Sequence, residues 1–127
     1  MGRQFSIAIV GAGYPNKSGP GRRFEIALCS PGEILELRPE PNNRFDRRAI
    51  AVYSSRGIQI GYVRAEQAQL IGTELRRGGV TAVFQRTDAW GATARVATGG
   101  LRPVLPEPGR QESVEDPDWW PDPEYDD

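Results

Sequence analysis

Six consecutive residues, Asn43-Arg44-Phe45-Asp46-Arg47-Arg48, put one aromatic ring, one carboxylate and three guanidinium groups on a single polar loop. That set suits the gripping of a nucleic acid. A ring gives a base or sugar a face to stack on, and the planar guanidinium fork matches phosphate oxygens. A carboxylate repels phosphate, so Asp46 fits such a site only by accepting a hydrogen bond from a hydroxyl or a base amine. A free sugar hydroxyl at a strand end is the obvious donor. The plainer alternative is that Asp46 caps its own turn and that Arg47 and Arg48 are solvated surface.

Other chemistries have less to work with. The chain has no histidine and one cysteine, Cys29, which removes Ser-His and Cys-His pairs, histidine-ligated metals, zinc ribbons and iron–sulfur clusters. Cys29 reads as a small buried hydrophobe suited to a reducing cytosol. Asp and Glu are plentiful, but no pair has the spacing of a metal-dependent nuclease. Gly11-Ala12-Gly13 follows an apolar strand as a dinucleotide fingerprint does, yet Asn16 stands where the third glycine belongs. Pro15 and Ser18-Gly19-Pro20-Gly21 stop a helix from starting there, which also spoils the near-match of Lys17-Ser18 to a phosphate loop. Asn16-Lys17-Ser18 matches a glycosylation sequon, which matters only in a secreted protein. No catalytic, cofactor or metal site is expected.

The elements that must hold the arginine loop are short. Phe5 to Val10 alternates as a half-buried strand and runs into a loop from Gly11 to Gly21. Arg22 to Leu28 fits either a short helix or a strand. Glu33 to Arg38 reads as a strand with Ile34, and Leu37 with it, facing inward. The loop from Pro39 to Arg48 opens into a strand from Ala49 to Tyr53, and Ser54-Ser55-Arg56-Gly57 turns the chain into Ile58 to Val63. Ala65 to Arg77 is the strongest helix, with Ala68, Ile71 and Leu75 on one side, Leu70 at its edge, and Gly78-Gly79 ending it. Val80 to Thr87 and Ala92 to Ala97 form a closing hairpin around Asp88-Ala89-Trp90-Gly91. Tyr53 and Phe84 read as core, and Trp90 as either a cap on the fold or an exposed stacking face.

With 127 residues, 15 glycines and 11 prolines, the chain suits one turn-rich domain: mainly β with one or two short helices, a small barrel of the oligonucleotide-binding type. No stretch is apolar enough to span a membrane and the N-terminus carries no signal-peptide pattern, so a cytoplasmic protein is expected. The net charge of −1 hides a division. Residues 1–110 hold all 16 basic and 9 acidic residues, net +7, while residues 111–127 hold 8 acids and no base, net −8. Domain limits of 1–102 for the barrel and 103–127 for a Pro-rich, acidic, disordered tail follow. Trp119, Trp120 and Tyr125 lie among the tail's acids and prolines, a mixture that mimics a single strand by its charge and flat faces. The plain reading is a solubilising, unstructured end; the functional alternatives are folding back to compete with a nucleic acid, or recruiting a basic protein partner through residues 111–127.

Val10-Gly11-x-x-Tyr14, Glu40-Pro41-x-Asn43-x-Phe45-Asp46-x-x-Ala49-Ile50-x-Val52 and Ile60-Gly61-Tyr62-Val63 together resemble the HIRAN domain family. Pro31-Gly32-Glu33 and Leu35-Glu36-Leu37 fit the same pattern, and the resemblance covers residues 5–85. It implies an oligonucleotide-binding-like barrel, found alone in bacteria or attached to helicase-type DNA remodellers, that holds single-stranded DNA at a free 3′ end. A stand-alone bacterial member is expected. It further implies that Tyr14 and Phe45 flank or stack on the terminal nucleotides, that Asp46 accepts a hydrogen bond from the 3′-hydroxyl, and that Tyr62 and Arg64 contact the strand backbone. Tyr14, Asn43, Phe45, Asp46, Arg47, Tyr62 and Arg64 are therefore the expected DNA-binding residues. The chain departs from the pattern at Gly13, where a basic residue is usual, at Phe45, usually tyrosine, and at Ala65, where a lysine is usual nearby. The expected function is a non-enzymatic module for single-stranded DNA or 3′ DNA ends in repair or processing. The alternative is an adaptor that docks to a repair or restriction enzyme.

Overall fold

A computed structural model describes residues 2–107. The elements follow the order β1 (Gln4–Val10), α1 (Arg22–Leu28), β2 (Ile34–Pro39), β3 (Ile50–Tyr53), β4 (Gln59–Val63), α2 (Ala65–Arg77), β5 (Thr81–Asp88) and β6 (Gly91–Ala97). Six antiparallel strands close into a barrel in the order β1-β4-β3-β2-β5-β6. Closure leaves no free sheet edge, which suits strands this short. Ile7, Ile9, Ile50, Val52, Ile60, Phe84 and Val96 fill the interior, with Ile26 of α1 and Ala68 and Ile71 of α2 packed against them.

The seam between β1 and β4 determines where the site forms. Only Ile9↔Val63 and Val10↔Tyr62 pair across it. Beyond that pairing the chain turns straight into α2, and the start of the helix completes the edge. The Arg64 amide donates to the Ala8 carbonyl at 3.0 Å, and the Ala8 amide donates to Gln67 Oε1 at 2.9 Å. Buried backbone groups must find partners, so this arrangement fixes α2 against the barrel. Gly61 belongs to the same seam, because a Cβ there would collide with the Val10 carbonyl oxygen. Gly78, at φ 88°, ends α2 with its amide donating to the Glu74 and Leu75 carbonyls.

The expected strand at Glu33 to Arg38 is present, but its facing is corrected. Ile34 is 57% exposed and Leu35 only 4%. Side chains alternate along a strand, so Leu35 and Leu37 share the inward face and Ile34 cannot join them. Arg22 to Leu28 resolves as a helix. It turns Arg22, Glu25 and Ile26 inward and leaves Phe24 and Leu28 exposed, the reverse of an ordinary amphipathic helix. Glu25 is accommodated by the Ser54 hydroxyl at 2.6 Å and by Arg56, which also pairs with Glu33. Cys29 is half-buried against the core, and burial pushes its thiol up to about 11. Phe84 is core, Tyr53 is half-buried beneath the Arg38 guanidinium, and Trp90 is half-buried.

Past β6, Val104 is still tied to the barrel: its amide donates to Gln4 Oε1 and its carbonyl accepts from Arg95. The expected fold-back or partner-binding role of residues 111–127 lies outside the described residues. No helix among the described residues is long and apolar enough to cross a membrane.

Candidate nucleic-acid interface

The loop between β2 and β3 is closed by its own hydrogen bonds. Glu40 and Ala49 pair across its base, and the Asn43 amide donates to the Glu40 carbonyl, both at 2.9 Å. Asn43 then uses its whole side chain. Its Oδ1 accepts from the Phe45 amide at 2.8 Å and the Asp46 amide at 3.0 Å, while its Nδ2 donates to Glu40 Oε1 at 2.9 Å. Asp46 Oδ1 accepts from the Arg48 amide at 2.8 Å, and the Ala49 amide returns to the Asp46 carbonyl. Such turns are what Asn and Asp provide to a backbone. The result is a set loop with Phe45 at its tip, 91% exposed. The capping expected of Asp46 is present through Oδ1, while Oδ2 has no hydrogen-bond partner among the described residues.

Tyr14 faces this loop across a cleft of about 350 Å³. It is 52% exposed and follows the turn in which its amide donates to the Gly11 carbonyl; Gly11 holds φ 83°. Val10, Val63, Ala49 and Ala65 line the cleft together with Tyr14, Asn43, Phe45, Asp46 and Tyr62. Five of the expected residues thus meet in one place. Tyr62 joins the loop to the barrel by donating its hydroxyl to Glu40 Oε1 at 2.8 Å. Burial and the hydrogen bond to Glu40 hold the Tyr62 hydroxyl above its ordinary value, more than offsetting the Gln59 contact that lowers it, so the phenol stays a donor.

Arg47 and Arg64 stand apart. Arg47 does not line the cleft but two other grooves, one shared with Arg48 and Arg76 and one with Arg44, Phe45 and Asp46. Arg64 is 4% exposed, and its guanidinium pairs with Glu66 at 2.9 Å. The sequence reading also missed two residues. Arg22 lines the cleft from behind, 8% exposed, and Glu40 accepts from both Asn43 and Tyr62. Glu40 was legible in principle, because its spacing from Asn43 within one turn invites a side-chain bond. Arg22 carried no local signal.

The charge distribution around the cleft is uneven. Arg38, Arg56, Arg64, Arg77 and Arg86 all have carboxylate partners. Lys17, Arg22, Arg44, Arg47 and Arg48 have none among the described residues, and all lie on or beside the two loops that frame the cleft. The Arg44 guanidinium sits 5.9 Å from the Phe45 ring centroid. Aromatic faces beside uncompensated guanidinium groups form a surface for a polyanion with stacked bases. Among the described residues, no group of three or more Asp, Glu or Cys side chains is placed to hold a metal.

Comparison with known proteins adds to this geometry. The profile of the HIRAN domain matches residues 3–97. A curated relative, the helicase-like transcription factor of Oryctolagus cuniculus, is 38% identical over 48 residues, which are 38% of this chain and 5% of that protein. The match therefore spans a small part of the relative's length. The crystal structure of the HIRAN domain of human HLTF superposes with a TM-score of 0.59 at 19% identity, covering 75% of this chain and 74% of that one. A crystal structure of a protein from Lactobacillus plantarum gives 0.63 at 17% identity, covering 77% of this chain and 97% of that one. At these identities the two structures share the fold with it.

Proposed function

This chain belongs to the HIRAN domain family, and on that premise we propose that it is a non-enzymatic module that binds single-stranded DNA, at a free 3′ end, through the cleft between Tyr14 and Phe45. The observation that carries the reading is the Asn43-bonded loop, which sets an exposed ring and an open carboxylate oxygen opposite a second ring. Stacking contributes about 1–3 kcal/mol per base, and the unpaired arginines add a salt-dependent share. Asp46 Oδ2 accepts from the terminal hydroxyl, which a phosphorylated end cannot offer. The setting is DNA repair or processing in a reducing cytoplasm. The direct test is fluorescence anisotropy with a labelled ten-nucleotide strand. Phe45→Ala should weaken binding about tenfold without changing the melting temperature, as loss of one stacking face predicts. Unchanged affinity would remove the cleft from the interface.

The eight acids of residues 111–127 are proposed to compete with DNA for the arginines. Tethering supplies effective concentrations on the order of millimolar. Removing those residues should tighten binding at low salt and change little at high salt. An adaptor role draws support from α1, which holds Phe24 at 63% and Leu28 at 51% exposure. Retention of a repair or restriction enzyme, lost on Phe24→Ser but kept on Phe45→Ala, would favour it.

A further inference from the structure

Arg22 is a charge that the fold buries without neutralising. Its Nε donates to Asn16 Oδ1 and its Nη1 to the Gly11 carbonyl, both at 2.9 Å, and both acceptors are neutral. Among the described residues no carboxylate lies within ion-pair distance and Nη2 has no hydrogen-bond partner; Glu40, in the wall of the same groove, attracts the guanidinium only from farther off. Its guanidinium carbon sits 5.6 Å from the centre of the Tyr62 ring. Burial lowers its pKa, which means the protein itself under-compensates the cation. A charge that is 8% exposed and has no paired carboxylate among the described residues is costly, and an anionic ligand would offset that cost.

The position of Arg22 indicates which anion. Arg22 and Tyr62 line the Phe45 cleft, and the same two residues line a second groove of about 690 Å³ on its other side. That groove also holds Lys17, Tyr53, Gln59 and Glu40. Glu40 Oε1 is already occupied by Tyr62 and Asn43, which fixes the carboxylate in the groove wall. Two adjoining cavities, each with a tyrosine in its wall and one buried guanidinium between them, match two nucleotides and the phosphodiester that joins them.

We propose that Arg22 binds the phosphodiester between the terminal nucleotide and its neighbour, and that the Lys17 groove is the subsite for that neighbouring nucleotide. This rests on the reading of the cleft as a DNA site. Arg22 then does two things: its Nε and Nη1 hold the Gly11 turn and Asn16 in place, and its remaining N–H groups donate to phosphate oxygens. Lys17 neutralises the next phosphate along.

The test compares di- and tetranucleotides with 3′-hydroxyl ends, natural or carrying one neutral methylphosphonate at the terminal linkage, by calorimetry on the intact chain. The tetranucleotide should bind about tenfold more tightly than the dinucleotide, and the neutral linkage should cost about tenfold, the scale of one charge-assisted hydrogen bond. Lys17→Ala, at an exposed position, should erase the length advantage and reduce the salt slope by about 0.7. Arg22→Lys should bind natural and neutral linkages more nearly alike. Equal affinity for both lengths, with no cost for the neutral linkage, would leave Arg22 as a pin for the Gly11 turn and overturn the subsite while the cleft stands. A deoxynucleoside monophosphate that matches the tetranucleotide would make the groove a free-nucleotide site and overturn it too. Failure of every oligonucleotide to bind would overturn the cleft reading and the subsite with it.

Discussion

Replacing Asn43 with alanine should separate the order of the loop from its contact with ligand. The side chain makes three bonds: it accepts from the Phe45 and Asp46 amides and donates to Glu40. Each is worth about 0.5–1.5 kcal/mol net, and in an exposed loop water recovers part of it, so the whole loss should be about 1–2 kcal/mol. For a domain of this size that lowers the melting temperature by about 5–10 °C. Affinity should fall with the order of the loop. A strand that needs the set loop binds in proportion to the fraction of molecules holding it, so about 1–2 kcal/mol translates to at most about 5–30-fold. The assay is a thermal melt paired with anisotropy on a ten-nucleotide strand. Glu40→Gln is the control, because it keeps an acceptor for Tyr62 and Asn43 while removing a negative charge beside the cleft. It should hold stability and tighten binding, more so at low salt. A destabilised Asn43→Ala that binds as well as the parent would refute the link between loop order and binding. A loss beyond a hundredfold with no change in stability would mean that Asn43 itself touches the DNA.

Two further outcomes test the frame rather than the cleft. Gly61→Ala should lose about 2–3 kcal/mol in urea unfolding, because the new Cβ meets the Val10 carbonyl across the two-pair seam of β1 and β4; a loss below about 0.5 kcal/mol would show that the seam can shift to accept it. Glu33 should contribute to acid sensitivity. Burial alone would raise its carboxyl, but bonds from the Ser55 hydroxyl and from the Ser30 and Ser55 amides, with Arg56, hold it below its ordinary 4.5. A lowered carboxyl contributes stability that is present above that value and lost as pH falls through the folded-state value. The stability gap between the parent and Ser55→Ala should therefore be full near neutrality and shrink below pH 4.5, and a gap constant across pH would contradict this.

Regular alternation and helix punctuation made most of the frame readable. Ala65 to Arg77 begins and ends where its apolar spacing and Gly78 place it, and the hairpins around Ser54–Gly57 and Ala89–Trp90 fall where their turn residues stand. Errors came where tertiary contacts override local pattern. Ile34 looked inward because it is large and apolar, but Leu35 takes the core position and alternation then exposes its neighbour. The segment from Arg22 to Leu28 stayed ambiguous because its buried side carries an arginine and a glutamate and its exposed side a phenylalanine and a leucine. No hydrophobic periodicity marks such a helix. The cleft was legible as a list, from Tyr14 to Tyr62, since its residues sit on two loops and one strand with turn-forming neighbours. Arg22 was not, because its role arises only when the loop after β1 folds back to place Gly11 and Asn16 against it. Arg64 reads as a surface cation in sequence, yet the turn into α2 buries it beside Glu66.

The most direct test of the account is the affinity of the intact protein for one ten-nucleotide strand ending in either a 3′-hydroxyl or a 3′-phosphate. The open oxygen of Asp46 predicts tighter binding to the hydroxyl end by about tenfold or more, and near-equal binding of both ends by Asp46→Ala. Equal affinity of the parent protein for the two ends, with Asp46→Ala unchanged, would contradict end recognition in this cleft.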